Sequence, residues 1–291
     1  MGISRLLICT TLVAAGVPGI SRAIELQRET LSAWDNYIQR VGLRTQRLNS
    51  NRPFLWIDES PERRARLQHG EVLIAPFVEH GTETVPNGLI HDWIGAVFIP
   101  NTTVQTLLNV LHDYDRYKDV YKPVVMDSRV LACKEMEHEF SMSWQRRVLF
   151  VNAAMEGRYR SQDFAIDSRR GYMVAETTRV QEIQDYGRPT EHLMPPDKGS
   201  GFIWRLHSIA TYEGRDDGVY MELEVIALTR DIPASLRWMV HPVVNHLSII
   251  SLTTTLRQTR DAVNRTPAQA GMLATCRGNT QELATVRPPG K

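Results

Sequence analysis

From residue 89 onward the pattern of apolar and polar residues changes to β-type runs longer than ordinary strands. The first, residues 89–99 (LIHDWIGAVFI), is closed by Pro100. Further runs at about 123–134, 136–146, 148–162, 171–184, 201–213 and 218–230 are separated by turn signals such as residues 167–171 (DSRRG) and Asp217-Gly218. With no helical period between the last six, seven strands predict an antiparallel meander. Residues 201–213 alone would extend roughly 40 Å, and a sheet of such strands twists, so it must coil around something. Residues 233–264 supply a rod of roughly 48 Å as helix. Leu236, Met239, Val240, Val243, Leu247, Ile250 and Leu256 recur on it at helical spacing, and Pro242 predicts a kink.

Between the first strand and the meander, Val104, Leu107, Leu108 and Leu111 mark one face of a helix over 102–112, followed by a short helix at about 113–121. Upstream, Leu26, Thr30, Ala33, Trp34, Tyr37, Ile38 and Val41 predict an amphipathic helix within 25–49. Ser60-Pro61 starts another, and 71–77 is strand-like. Residues 24–88 lack enough periodic elements for a core of their own and are read as an extension packed on a main domain, 89–264. The predicted fold is α+β: a curved seven-stranded antiparallel sheet wrapped around a long C-terminal helix, with an N-terminal helical extension.

Strand alternation assigns the faces. Val219, Met221, Leu223, Val225 and Ala227 are expected to face the helix, with Glu222 and Glu224 on the reverse side, paired to Arg205 or Arg179 of an adjacent strand. Met136, His138, Phe140, Met142 and Trp144 alternate with Glu137, Glu139, Ser141 and Ser143, while Phe202, Trp204, Leu206, Ala210 and Tyr212 form a third inward set. An interior rich in Met and aromatic residues suits an adaptable apolar cavity. The candidate ligand-binding residues are therefore His138, Phe140, Met142, Trp144, Trp204, Met221, Leu223, Met239 and Val243.

The ends of the chain change the setting. Arg5, an apolar stretch over residues 6–17, Pro18-Gly19, and Ser21 and Ala23 have the layout of a secretory signal peptide cleaved after Ala23, too short to span a bilayer. The mature product is expected in the periplasm or outside the cell, with no transmembrane segment. Processing takes Arg5 and Arg22 from 34 basic side chains against 33 acidic, leaving a balanced chain with no basic stripe, which argues against nucleic acid as partner. Cys133 and Cys276 remain, enough for one disulfide but for neither a disulfide framework nor a metal site. Residues 265–291, rich in Thr, Gly, Pro, Gln and Arg, read as a disordered tail.

Motif-borne chemistry is missing: no phosphate loop, nucleophile elbow, His-Glu-x-x-His or Cys-x-x-Cys occurs. His91 and His138 are the side chains that could meet a ligand, but no sequence partner makes either a general base. Asp113, Asp115 and Asp119 read as a solvated face with Asp113 as a helix cap. His241 and His246 do not share a helix face as zinc ligands would. Neither a metal nor a cofactor is expected.

Several segments resemble the START-like or SRPBCC superfamily: residues 93–100 (WIGAVFIP), 113–117 (DYDRY) before 120–123 (VYKP), 201–205 (GFIWR), and 228–233 (LTRDIP) leading into the last helix. That resemblance covers about residues 89–264 and implies a helix-grip fold. It points first to binding or carriage of a lipid, sterol-like or polyketide-like molecule without chemistry. A polyketide cyclase, aromatase or hydrolase acting in the same cavity, and an interaction module with a filled core, are the alternatives.

Overall fold

A computed structural model of the protein describes residues 24–46, 53–134, 136–148, 151–232 and 234–266. The signal-peptide reading and nearly all of the predicted tail lie outside them. In chain order the elements are β1 (Ile24–Glu25), α1 (Arg28–Gln46), α2 (Pro61–Gln68), β2 (Leu73–Pro76), β3 (Thr82–Val85), β4 (Gly88–Pro100), α3 (Val104–Leu111), α4 (Tyr117–Val120) and β5 (Val125–Lys134). There follow β6 (Glu137–Val148), β7 (Val151–Ala165), β8 (Arg170–Gln184), β9 (His192–Leu193), β10 (Lys198–Gly199), β11 (Arg205–Arg215), β12 (Gly218–Arg230) and α5 (Ala234–Arg265).

The long strands form one antiparallel sheet in the order β2-β4-β12-β11-β8-β7-β6-β5, with β3 also on β4 and β9 on β8. From β5 to β12 it is the expected meander. The long-range step is the pairing of β12 with β4 along their whole length, from Gly218 opposite Pro100 to Arg230 opposite Gly88. β2 and β3, from the residues read as an extension packed on the main domain, continue the sheet on the far side of β4.

Local signals explain the helix starts. Ser60 Oγ accepts from the Arg63 N–H at 3.3 Å, with Pro61 at the first helical position, and Thr103 Oγ1 caps α3 by accepting from the Thr106 N–H at 3.2 Å. Asp113 makes no side-chain cap. The expected C-terminal helix is present as α5, and it continues through Pro242.

Both faces of the sheet are covered around β4, and every residue from Gly88 to Ile99 is buried. On the concave face Val97, Ile99, Val219 and Met221 pack with Leu252, Leu256, Ala262 and Val263 of α5. Gly95 permits this seat, because an added methyl would meet Leu256 Cδ1 at 2.7 Å. On the convex face Trp34, Tyr37 and Val41 of α1 pack on Ile90, Ile226 and Leu228, and Phe54, Leu55, Ile57 and Leu67 pack on Ala96, Phe98 and Tyr220. The result is the helix-grip arrangement, a curved antiparallel sheet closed on its C-terminal helix, with a second helical layer against the outside of the sheet.

That outer layer changes the reading of two residue sets. Glu222 and Glu224 do not pair with Arg205 or Arg179. Glu222 accepts the backbone N–H groups of Trp56 and Ile57 at 3.0 and 2.9 Å, and Glu224 pairs with Arg44 of α1, while Arg205 pairs with Asp197. Trp204 is not on the concave face. Strand β11 begins only at Arg205, after a left-handed turn at Gly201, so alternation cannot be extrapolated back to Trp204, which packs under α1.

The β11–β12 turn fixes the register of the long pairing. Gly218 has φ 147°, and a Cβ there would collide with the Ile99 carbonyl oxygen and lie 2.9 Å from Pro100 Cα. Gly218→Ala is expected to destabilise the fold by about 1–3 kcal/mol, as strained and overpacked backbone sites do. A urea-unfolding midpoint equal to that of the parent chain would refute this.

Candidate functional site

Register across the sheet sets concave residues in rows. One row runs from Trp93 through Val225, Ser208, Ala175 and Ser161 to His138, spanning six strands. Its neighbours carry Leu223 beside Ala210 on one side and Ala227 beside Leu206 on the other. Six contiguous side chains in the middle of this floor, Leu206, Ser208, Leu223, Val225, Ala227 and Ala175, are only half-buried, although the strand edges around them are covered.

The helix above explains that. Over its C-terminal half α5 buries Leu252, Leu256, Thr259, Ala262 and Val263. Over residues 243–251 no side chain is buried, and Ile249 and Ile250 are 40% and 43% exposed. The helix thus grips the sheet by its last turns and stands off it further back. Half-buried apolar residues of the floor and of the helix mark a gap between them.

At the far end of the same row the surroundings turn aromatic and then polar. Phe140 is sandwiched between the rings of Tyr114 and Tyr159, at 4.3 and 4.8 Å between centroids. Trp144 donates from Nε1 to the Tyr159 hydroxyl at 3.1 Å. Beside this stack, His138 lies against Asp163, which also accepts a hydrogen bond from His112 Nε2 at 3.0 Å. Burial, reinforced by nearby His112, holds the His138 imidazole below its ordinary pKa, against the opposing pull of Asp163, and so favours the neutral ring.

The predicted site residues divide accordingly. Leu223, Met142 and Val243 are half-buried, Leu223 on the open floor, Met142 one row beyond Leu206 and Val243 on the stand-off part of the helix. Phe140 and Trp144 belong to the closed aromatic packing, and Met221 is held under the tight half of α5. Trp204 lies on the opposite face, and the Met239 side chain is outside the described ones. Leu206, Val225 and Ala227 were missed as site residues, although alternation had already placed all three inward. His91 is buried level with Ala227 and hydrogen-bonded through Nε2 to Thr229 Oγ1 at 3.1 Å.

A second polar group lies beneath α1 on the convex side. Tyr37 donates to Asp92 Oδ2 at 2.6 Å, and Arg44 reaches both Asp92, at 4.0 Å, and Glu224. Burial raises the Asp92 carboxyl, and burial together with Asp92 pushes Glu224 up to about 8. Burial also pushes Glu222 up to about 7 and His207 down to about 4. These groups anchor the outer layer and do not face the gap. Two open clefts of about 410 and 440 Å3 are present, one at the sheet edge between α2, β2 and α5 and lined by Trp56, Arg63, Val72 and Ile249, the other on the outer surface near Met126, Tyr186 and His192.

The sequence matches no protein-family model and no curated protein. Among solved structures the chain is similar to a STAR-related lipid transfer protein from Xanthomonas axonopodis, with 19% identity, 67% of this chain and 99% of that one covered, and a TM-score of 0.42. It is also similar to the Zhui aromatase/cyclase from a Streptomyces species (13% identity, 60% and 94% covered, TM-score 0.39) and to human STARD10 (10% identity, 75% and 84% covered, TM-score 0.39). Such likenesses concern the fold alone, and the helix-grip arrangement stands on the strand order and the seat of α5.

Proposed function

We propose that this START-like fold, gripped by the last turns of its terminal helix, binds or carries a hydrophobic small molecule in the gap between the sheet and residues 243–251. The observation that carries this reading is the patch of half-buried Leu206, Leu223, Val225 and Ala227 in the middle of an otherwise covered concave face. A core filled to ordinary interior density would leave these residues no exposure, which disfavours an interaction module with a solid centre. Leaving apolar side chains half-covered forgoes about 25 cal/mol for each Å2 not removed from water, and a lipid, sterol-like or polyketide-like guest recovers that term on binding. The floor offers shape and apolar area with one small hydroxyl, Ser208, which suits binding better than chemistry.

The test is native mass spectrometry of the protein purified from its own host, with extraction and identification of any bound molecule. Val225→Arg puts a charge on the floor at a side chain that is only half-buried. It is expected to abolish the co-purifying hydrophobic molecule while the thermal midpoint stays within a few degrees of the parent. A parent chain that carries nothing and takes up no fatty acid, sterol or aromatic polyketide in titration would end this reading. Turnover of an aromatic polyketone, lost in His138→Ala, would move it to the cyclase alternative.

A further inference from the structure

We propose that His112, His138 and Asp163 form a binding site for a divalent transition-metal ion of the zinc type, a site absent from the sequence reading. Three elements converge to make it. His112 is the C-terminal cap residue of α3, His138 lies on β6, and Asp163 on β7 is two positions along the same face from Ser161, the cross-strand partner of His138. One donor atom from each lies within 4.8 Å of the other two. The carboxylate sits between the rings, with Oδ1 at 3.0 Å from His112 Nε2 and Oδ2 at 3.6 Å from His138 Nδ1. Ligands about 2.0–2.1 Å from a tetrahedral zinc ion are about 3.3 Å apart, a spacing these two distances bracket.

Two further observations point to a cation. His138 is 4% exposed, yet its Nδ1 has no hydrogen-bond partner among the described residues, a costly state for a buried polar atom. The Asp163 side chain is 7% exposed, and among the described residues its only ion-pair partners are these two histidines, with no Lys or Arg in range. A buried carboxylate needs a positive partner, and among the described residues no Lys or Arg supplies one. A metal ion would satisfy the carboxylate and the orphaned nitrogen together. Two imidazoles and one carboxylate suit zinc and its neighbours, whereas calcium and magnesium prefer sites built mainly of oxygen. Three protein ligands leave a fourth position for water or a substrate atom, as in zinc sites that are not purely structural.

The test is a titration of the full chain, stripped with chelator, with Zn2+ by calorimetry and with Co2+ by visible absorption. One ion per chain and a low-symmetry Co2+ band are expected. His112→Gln, at a partly exposed position, and His138→Ala should each weaken binding by at least about 100-fold, beyond the usual loss from altering a residue that merely orients a ligand. His69→Ala, at an exposed histidine remote from the cluster, should leave it unchanged. If His138→Ala fails to fold, His112→Gln alone decides. A folded parent chain that binds no stoichiometric ion, or one whose affinity survives His112→Gln, overturns the proposal. Both readouts are independent of hydrophobic-ligand binding.

Discussion

Leu256→Ala is expected to lower the free energy of unfolding by about 2–5 kcal/mol, the range for deleting a buried leucine where the surroundings cannot collapse. Leu256 is fully buried, and it occupies the seat that Gly95 leaves on β4. The sheet beneath is held by hydrogen bonds on both sides of β4, so the backbone cannot move in to fill the hole. Leu223→Ala, half-buried on the open floor, should cost less than half as much. Urea unfolding monitored by circular dichroism checks both, and equal losses would mean that α5 is not held preferentially by its last turns.

Arg44→Ala should give the second large effect, and a pH-dependent one. Arg44 is the cation that faces Glu224 and Asp92, both buried between α1 and the sheet. In the folded chain, burial and Asp92 raise Glu224 from its ordinary 4.5 to about 8, so the folded state holds this proton more tightly than the unfolded state. The associated stability is complete below about pH 4.5 and is lost as pH rises through 8. Glu222, raised to about 7, acts in the same direction. Stability of the parent chain should therefore fall between about pH 5 and pH 8, and Glu224→Gln should flatten the profile. Without Arg44 the carboxylates can neutralise at pH 5.5 at little cost, whereas at pH 9 they face each other uncompensated. The loss at pH 9 is expected near 3 kcal/mol, the lower end for breaking a buried pair, because Arg44 is itself partly exposed. A loss independent of pH would show that Arg44 contributes by packing, for its guanidinium also lies 3.8 Å above the Phe77 ring.

What the sequence displays is governed by period. The long alternating runs and the helical spacing of residues 233–264 each follow from one element's own exposure pattern, and they yielded the meander and the gripping helix. β4 is buried on both faces, so its run 89–99 reads as nearly continuous apolar residues and does not say what covers its outer side. The covering of Glu222 and Glu224 by α1 and the Trp56 turn was invisible for the same reason: a strand face reports polarity, not partner. Trp204 shows the cost of extending alternation past a glycine turn. The His112, His138 and Asp163 cluster joins a helix end and two strands far apart in sequence, and no spacing motif encodes such a meeting. Which floor residues stay half-open depends on how far along its length α5 is seated, a tertiary quantity that no local pattern carries.

The uneven seat of α5 has a mechanical corollary. A rod clamped by its last turns deflects most away from the clamp, so under the proposed function a bulky guest would be admitted by displacing residues 243–251 while Leu252, Leu256 and Val263 stay fixed as the fulcrum. Guest size is then limited by the bending stiffness of a single helix, with Pro242, which cannot donate to the preceding turn, as its softest point. Entry and release would thereby be uncoupled from the cohesion of the clamp.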